Sequence, residues 1–301
     1  MGVLVVGSLN MDLVVNLNRM PNPGETVMGD TFLTFPGGKG LNQAVATARA
    51  GAKVRMIGNL GDDPYAKILR EVLVAEKIDD SGVVDTPDST GIALIEVDQS
   101  GQNRIVVVSG ANAKLKAENF SPNSDEKIVL AQLESPIEEL EKIFRAAKKN
   151  RYKTVLNPAP AQKLPPTFLA EIDLLIPNEY EAELLTGIKV TDLESAEKSA
   201  RILISQGVAE IIITMAEKGA IYVSENRVIR QAAYKVSAVD TTAAGDAFCG
   251  GLVAEMARGK NIEAALKFAA AAGGLATTKP GATTSLPTEN EICSLQKSQG
   301  D

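Results

Sequence analysis

From residue 128 onward, short apolar runs alternate with segments of helical period, and this alternation constrains the fold more than anything else in the chain. Strands are expected over 128–133, 155–156, 174–176, 211–215, 220–223 and 228–236. Helices are expected over 136–150, 168–172, 179–186 and 193–206, then two long ones over about 243–258 and 262–278. The N-terminal part begins alike, with strands over 3–7 and 54–57 and helices over 41–50 and 64–77; Gly51 is the expected left-handed residue after the first helix. Strands joined through helices make parallel pairs, and the crossovers cover both sheet faces. The expected class is α/β, a mostly parallel central sheet with helices on both faces, in one domain spanning residues 1–301.

One stretch breaks the pattern. Residues 92–97 and 105–108 are β-rich, and the polar run Asp98-Gln99-Ser100-Gly101-Gln102-Asn103 between them predicts a hairpin with a long loop. We read it as part of a small β-sheet lid, with lid strands at about 12–36 and 90–110. The turn at Pro23-Gly24 is a plausible hinge for closing that lid over a ligand.

Absent residue types narrow the chemistry. The 301 residues include no histidine, which excludes Ser-His-Asp and Cys-His nucleophiles and His-ligated metals. Proton transfer then falls to carboxylates, lysines or tyrosines. Cys249 and Cys293 fit neither a disulfide framework nor a zinc site and read as small buried hydrophobes. The net charge is −7 with scattered basic residues, so a nucleic-acid partner is not expected. No apolar run reaches the roughly 18 residues of a membrane span, so the expected location is cytoplasmic and away from membranes.

Four motifs sit where strands meet helices. In Asp240-Thr241-Thr242-Ala243-Ala244-Gly245-Asp246, small residues run into an apolar helix, so the amides of Ala243, Ala244 and Gly245 can converge on an anion. Asp246 falls in the first turn, where the helix dipole favours a carboxylate, and Thr241 or Asp240 is the expected N-cap. Gly37-Gly38-Lys39-Gly40-Leu41-Asn42 opens another helix; it is neither a Walker A loop nor a dinucleotide fingerprint. Its glycines admit a ligand to the backbone, and Lys39 and Asn42 can donate to hydroxyls. Pro177-Asn178-Glu179-Tyr180-Glu181 offers oxygen ligands suited to hydrated Mg²⁺. Glu134 ends a strand on the same edge as Asn10 and Asp12 and can accept sugar hydroxyls. A turn over 277–285, rich in carbonyls and hydroxyls after the last long helix, suits a monovalent cation if Asp240 and Thr242 lie beside it.

These segments resemble the two signatures of the ribokinase-like (PfkB) carbohydrate kinases: Gly37-Gly38-Lys39-Gly40-x-Asn42-x-Ala44 and Asp240-Thr241-Thr242-Ala243-Ala244-Gly245-Asp246. Shorter pieces extend the resemblance from residue 1 to about 290, in order. The resemblance implies transfer of the ATP γ-phosphate to O5 of D-ribose, giving D-ribose 5-phosphate; another small sugar or a nucleoside is the alternative. It implies Asp246 as the base and Ala243, Ala244 and Gly245 as the anion hole. It gives sugar binding to Asn10, Met11, Asp12, Gly38, Lys39, Gly40, Leu41, Asn42, Glu134 and Asp246. It gives the nucleotide to Asn178, to Thr214-Met215-Ala216-Glu217-Lys218-Gly219, to Gly245 and Asp246, and to Ala269. Glu181 is implied near Mg²⁺, and Asp240, Thr242, Ala276, Lys279, Gly281 and Ser285 around K⁺. Two positions depart from the family: glycine is usual where Ala216 stands, and a polar or ring side chain is common where Ala269 stands. The exposed apolar face expected of the lid predicts a homodimer in which two lids pack together.

Overall fold

A computed structural model describes residues 1–300. Its elements run β1 (Gly2–Val6), β2 (Asn10–Leu17), β3 (Gly29–Gly37), α1 (Lys39–Arg49), β4 (Lys53–Leu60), α2 (Pro64–Ala75), β5 (Asp79–Asp85), β6 (Gly91–Asp98) and β7 (Asn103–Val108). They continue with β8 (Glu126–Ala131), α3 (Ile137–Lys149), β9 (Lys153–Leu156), α4 (Pro166–Leu169), β10 (Leu174–Leu175), α5 (Glu179–Thr186) and α6 (Leu193–Ser205). The chain ends with β11 (Glu210–Thr214), β12 (Ala220–Ser224), β13 (Arg227–Gln231), α7 (Ala244–Ala257), α8 (Ile262–Ala276) and α9 (Glu289–Ser298).

Among the described residues, nine strands form one sheet in the order β13-β12-β11-β10-β9-β8-β1-β4-β5. Pairing is parallel from β11 through β5, and the two outer strands β12 and β13 are antiparallel. Successive residues of a strand point to opposite faces, and β1 shows why both faces must be covered. Val3 and Val5 pack into a core with Leu41, Phe248, Leu252 and Leu266, on the side of α1, α7 and α8. Leu4 and Val6 pack into a second core with Leu140, Phe144, Leu175 and Leu203, on the side of α3 and α6. The expected α/β class is the observed one.

A second sheet of four strands, in the order β3-β2-β6-β7, forms the small β layer expected from the hairpin. β2 and β6 are parallel, and β3 and β7 close the two edges in antiparallel pairing. Both edges are apolar and exposed: Phe32 is 61% exposed, Ile105 54% and Val106 59%.

Three expectations need correction. The strand over 228–236 stops at Gln231, which pairs with Ala220, the first residue of β12; beyond it the Lys235 backbone bonds the Gln299 side-chain amide instead of a strand. α9 was not expected; its signal is the capping box in which Thr288 and Glu291 satisfy each other's backbone amides. Neither Thr241 nor Asp240 caps α7. The cap residue is Ala243, in the left-handed region at φ 59°, with no side-chain cap bond.

Candidate active site

Small residues bring the two glycine-rich segments together. A Cβ on Gly250 of α7 would lie 2.5 Å from Ala46 Cβ and 2.8 Å from the Thr47 amide of α1. This close approach sets the first turn of α7 against the start of α1. Asn42 Nδ2 donates to Asp246 Oδ2 at 3.1 Å, and Gln43 Nε2 donates to Oδ1 at 2.9 Å. Asp246 is only 6% exposed, yet both of its oxygens have side-chain amide donors. Buried polar groups survive only with such partners.

The neighbouring acid is Glu134. Its Oε2 accepts from Ser8 Oγ at 2.5 Å, the Lys39 amide at 3.1 Å and Asn10 Nδ2 at 3.4 Å. Asn10 is fixed in turn by Asn112, whose Nδ2 donates to Asn10 Oδ1 at 2.7 Å. Asp12 lies on β2 over Gly37; a Cβ there would fall 2.3 Å from Asp12 Oδ2. Burial, then repulsion from Glu134 and from Asp246, pushes the Asp12 pKa up to about 7. Burial pulls the Lys39 ammonium down, but Asp246, Glu134 and Glu181 outweigh it and hold Lys39 above the usual lysine value. Three carboxylates thus act on one half-buried cation, and a fourth, Asp12, belongs to the same field.

Of the amides expected to converge on an anion, one is already engaged within the chain. The Ala244 amide already donates to Thr241 O at 3.3 Å. The amides of Gly245 and Asp246 have no protein acceptor among the described residues, leaving the open donors of a helix N-terminus. A Cβ on Gly245 would meet nothing within 4 Å, so the first turn of α7 is open on that side.

Across the sheet edge, Asn178 caps α5 in a reciprocal box. Glu181 N–H donates to Asn178 Oδ1 at 2.8 Å, and Asn178 N–H donates to Glu181 Oε2 at 2.9 Å. Burial raises the Glu181 pKa despite that amide. Asn178 bridges to Thr214, so the segment 214–219 starts beside it. Met215 N–H donates to Gly219 O at 2.7 Å and closes this segment into a loop. Ala216 adopts φ 46° there, a left-handed position that favours glycine.

Asp240 also meets the 277–285 turn. Gly281 N–H donates to Asp240 Oδ2 at 2.9 Å, while Thr242 Oγ1 donates to Oδ1 at 2.6 Å. These donors outweigh burial and hold the Asp240 pKa below the usual carboxylate value. Ser285 is buried beside this turn, whereas the Lys279 ammonium turns away to Glu291 at 2.8 Å. Met11, Leu41, Met215, Ala269 and Ala276 are buried, so their side chains present no surface to a ligand. Gly40 serves close packing, since a Cβ on it would lie 2.5 Å from the Gly7 backbone. Ser8, Gln43, Asn112, Gln132 and Asn157 join the site without having been assigned roles from sequence. Cys249 is buried and burial raises its thiol pKa well above normal; Cys293 is half-buried.

Comparison with known proteins agrees with this geometry. The model of the pfkB family carbohydrate kinases matches residues 2–289. A ribokinase of Haemophilus influenzae is 42% identical over 95% of both chains. The crystal structure of Thermotoga maritima ribokinase superposes with a TM-score of 0.91 at 37% identity, covering 98% of this chain and 99% of that one. The structure of Arabidopsis thaliana ribokinase complexed with ribose and ATP superposes with a TM-score of 0.92 at 32% identity, covering 98% of each. With its two signatures meeting at Asp246 and the family model covering nearly its whole length, the chain belongs to the pfkB family of carbohydrate kinases.

Proposed function

We propose that this chain transfers the γ-phosphate of ATP to the O5 hydroxyl of D-ribose, giving D-ribose 5-phosphate. The observation that carries this reading is the cluster in which buried Asp246, Asn10 and Asn42 stand with half-buried Glu134, Asp12 and Lys39. A small polyhydroxy substrate matches that set. The Glu134 and Asp12 carboxyl groups can accept its hydroxyls, and the Asn10 side chain stands beside Glu134. Asp246 accepts the proton of the attacking hydroxyl as that oxygen bonds to the γ-phosphorus and the bridging oxygen leaves with ADP. The open amides of Gly245 and Asp246 stabilise charge on the transferring phosphoryl group. Phosphoryl transfer relies on positioning and charge stabilisation, which a chain without histidine can supply.

The nucleotide side is assigned to Asn178, the 214–219 loop and the α7 N-terminus. Among the described residues, no three acidic or cysteine side chains gather into a metal cage. Mg²⁺ keeps several waters and takes one or two carboxylates plus phosphate oxygens, so Glu181 fits a water-mediated role toward it. Asp240, Thr242 and the turn carrying Gly281 and Ser285 supply oxygens that fit K⁺, with Ala276 and Lys279 offering carbonyls. When bound, such an ion would fix the backbone of 240–245.

We assign the lid face to a second copy of the chain. Phe32, Leu33, Leu94 and Ile105 to Val108 leave an apolar surface on a sheet with open edges, and such surfaces are normally covered. No helix among the described residues is long and apolar enough to cross a membrane. The reaction is tested by coupled ADP release with ribose, 2-deoxyribose, fructose and adenosine. Ribose is expected to give the highest kcat/KM; preference for any of the others overturns the substrate assignment.

A further inference from the structure

Within Gly40-Leu41-Asn42-Gln43-Ala44, the signature leaves position 43 unspecified. In the fold, Gln43 is fully buried. Its Nε2 donates both to Asp246 Oδ1 at 2.9 Å and to Asn157 Oδ1 at 3.0 Å, and its Oε1 accepts from Gln132 Nε2 at 2.6 Å. Asn157 Nδ2 donates onward to Ile176 O at 2.9 Å. Gln132 and Asn157 follow the adjacent strands β8 and β9, so the chain of amides is anchored on the sheet edge and ends on the carboxylate.

We propose that Gln43 is a positioning residue that sets the orientation of the Asp246 carboxylate, held by a relay of uncharged side-chain amides from Gln132 and Asn157. The proposal rests on Asp246 being the base.

The relay has one sense. Turning the Gln43 amide over would put Oε1 against two acceptor oxygens and Nε2 against the Gln132 amino group. Gln132 Oε1 occupies the space that Gly7 leaves by lacking a side chain, since a Cβ on Gly7 would fall 2.1 Å from it. Gln132 Oε1 itself is buried without a partner among the described residues, so the pairing of its Nε2 with Gln43 is kept at the expense of its oxygen. With Oδ1 tied to Gln43 and Oδ2 to Asn42, the carboxylate cannot rotate about its Cβ–Cγ bond without breaking a buried hydrogen bond. Each oxygen keeps a second lone pair for the substrate hydroxyl. Gln43 does not touch the reacting atoms in this arrangement; it acts through Asp246.

The test is steady-state kinetics of Gln43→Met, which keeps chain length and burial but removes the donor, alongside Gln132→Met, whose side chain does not contact Asp246. For Gln43→Met, kcat is expected to fall about 10–100-fold, as for a misplaced catalytic group, with KM for ribose and ATP each within about threefold. Gln132→Met should lower kcat in the same selective way by a smaller factor, and it decides the matter should Gln43→Met not fold. A merely structural role would lower melting temperature with kcat unchanged, or move KM and kcat together; either result overturns the proposal. Asp246→Asn is measured in parallel. An inactive Asp246→Asn beside a fully active Gln43→Met sinks the relay alone, whereas an active Asp246→Asn removes the base assignment and the relay with it.

Discussion

The Asn42 side-chain amide donates to Asp246 Oδ2 at 3.1 Å and so joins two glycine-rich segments 204 residues apart in sequence. This contact is where the α1 side of the fold, carrying the groups proposed to bind hydroxyls, meets the α7 N-terminus with its open amides. In the proposed reaction both substrates converge there, and the outcomes below follow from the groups around that point.

Asp12 gives the site a pH response. Its pKa of about 7 in the folded chain lies above the ordinary 3.8. A raised carboxyl pKa means that the unfolded chain holds fewer protons, so stability falls as pH rises through the window from 3.8 to about 7. Asp12→Asn should therefore raise the melting temperature of the substrate-free protein more at pH 8 than at pH 4. Ribose affinity should move oppositely, weakening by up to about tenfold per pH unit below 7 as the acceptor becomes protonated. Calorimetric titration with ribose from pH 5.5 to 8 checks this, and a flat profile for wild type would remove Asp12 from the sugar site.

Ala216 is held at φ 46° in the 214–219 loop. A non-glycine residue there costs about 1–2 kcal/mol, partly offset by the greater entropy a glycine loses on folding. Ala216→Gly should raise the melting temperature by roughly 1–3 °C. Calorimetry showing an equal or lower value would mean that the loop does not strain this residue.

Activity should rise with K⁺, mainly in kcat, and little with Na⁺ or Li⁺. Asp240→Ala should abolish the response, because Asp240 ties residues 240–242 to the turn carrying Gly281. Equal rates in K⁺-free Tris and in K⁺ buffer at matched ionic strength would contradict the cation assignment.

The lid sheet should be an interface between two copies. Sedimentation velocity at micromolar concentration should show a dimer for wild type and a monomer for Val106→Asp, which sets a charge on the exposed edge strand β7. A monomeric wild-type chain would contradict this.

Much of this was legible in the sequence because the signals are local. The parallel sheet follows from apolar runs punctuated by helical periods, and Asp246 stands out because small residues precede it at a strand-to-helix junction. What stayed hidden depends on distant pairing. Gln43 acts on a residue 203 positions away. Ser8 gains its role only when Glu134, 126 residues on, reaches its hydroxyl. The α7 cap is not legible locally: Thr241 and Asp240 are good capping residues in isolation, but Asp240 accepts from Thr242 and Gly281 instead.

The central claim is that Asp246 takes the proton from the attacking hydroxyl, and the most direct measurement is the ADP-release rate of Asp246→Asn with saturating ribose and ATP. Asparagine keeps the shape and can still accept a hydrogen bond through its oxygen, so the fold and ribose binding should be retained. kcat is expected to fall at least about 10²–10⁴-fold, the loss typical of a missing general base. Turnover within tenfold of wild type, with normal ribose binding, would contradict it.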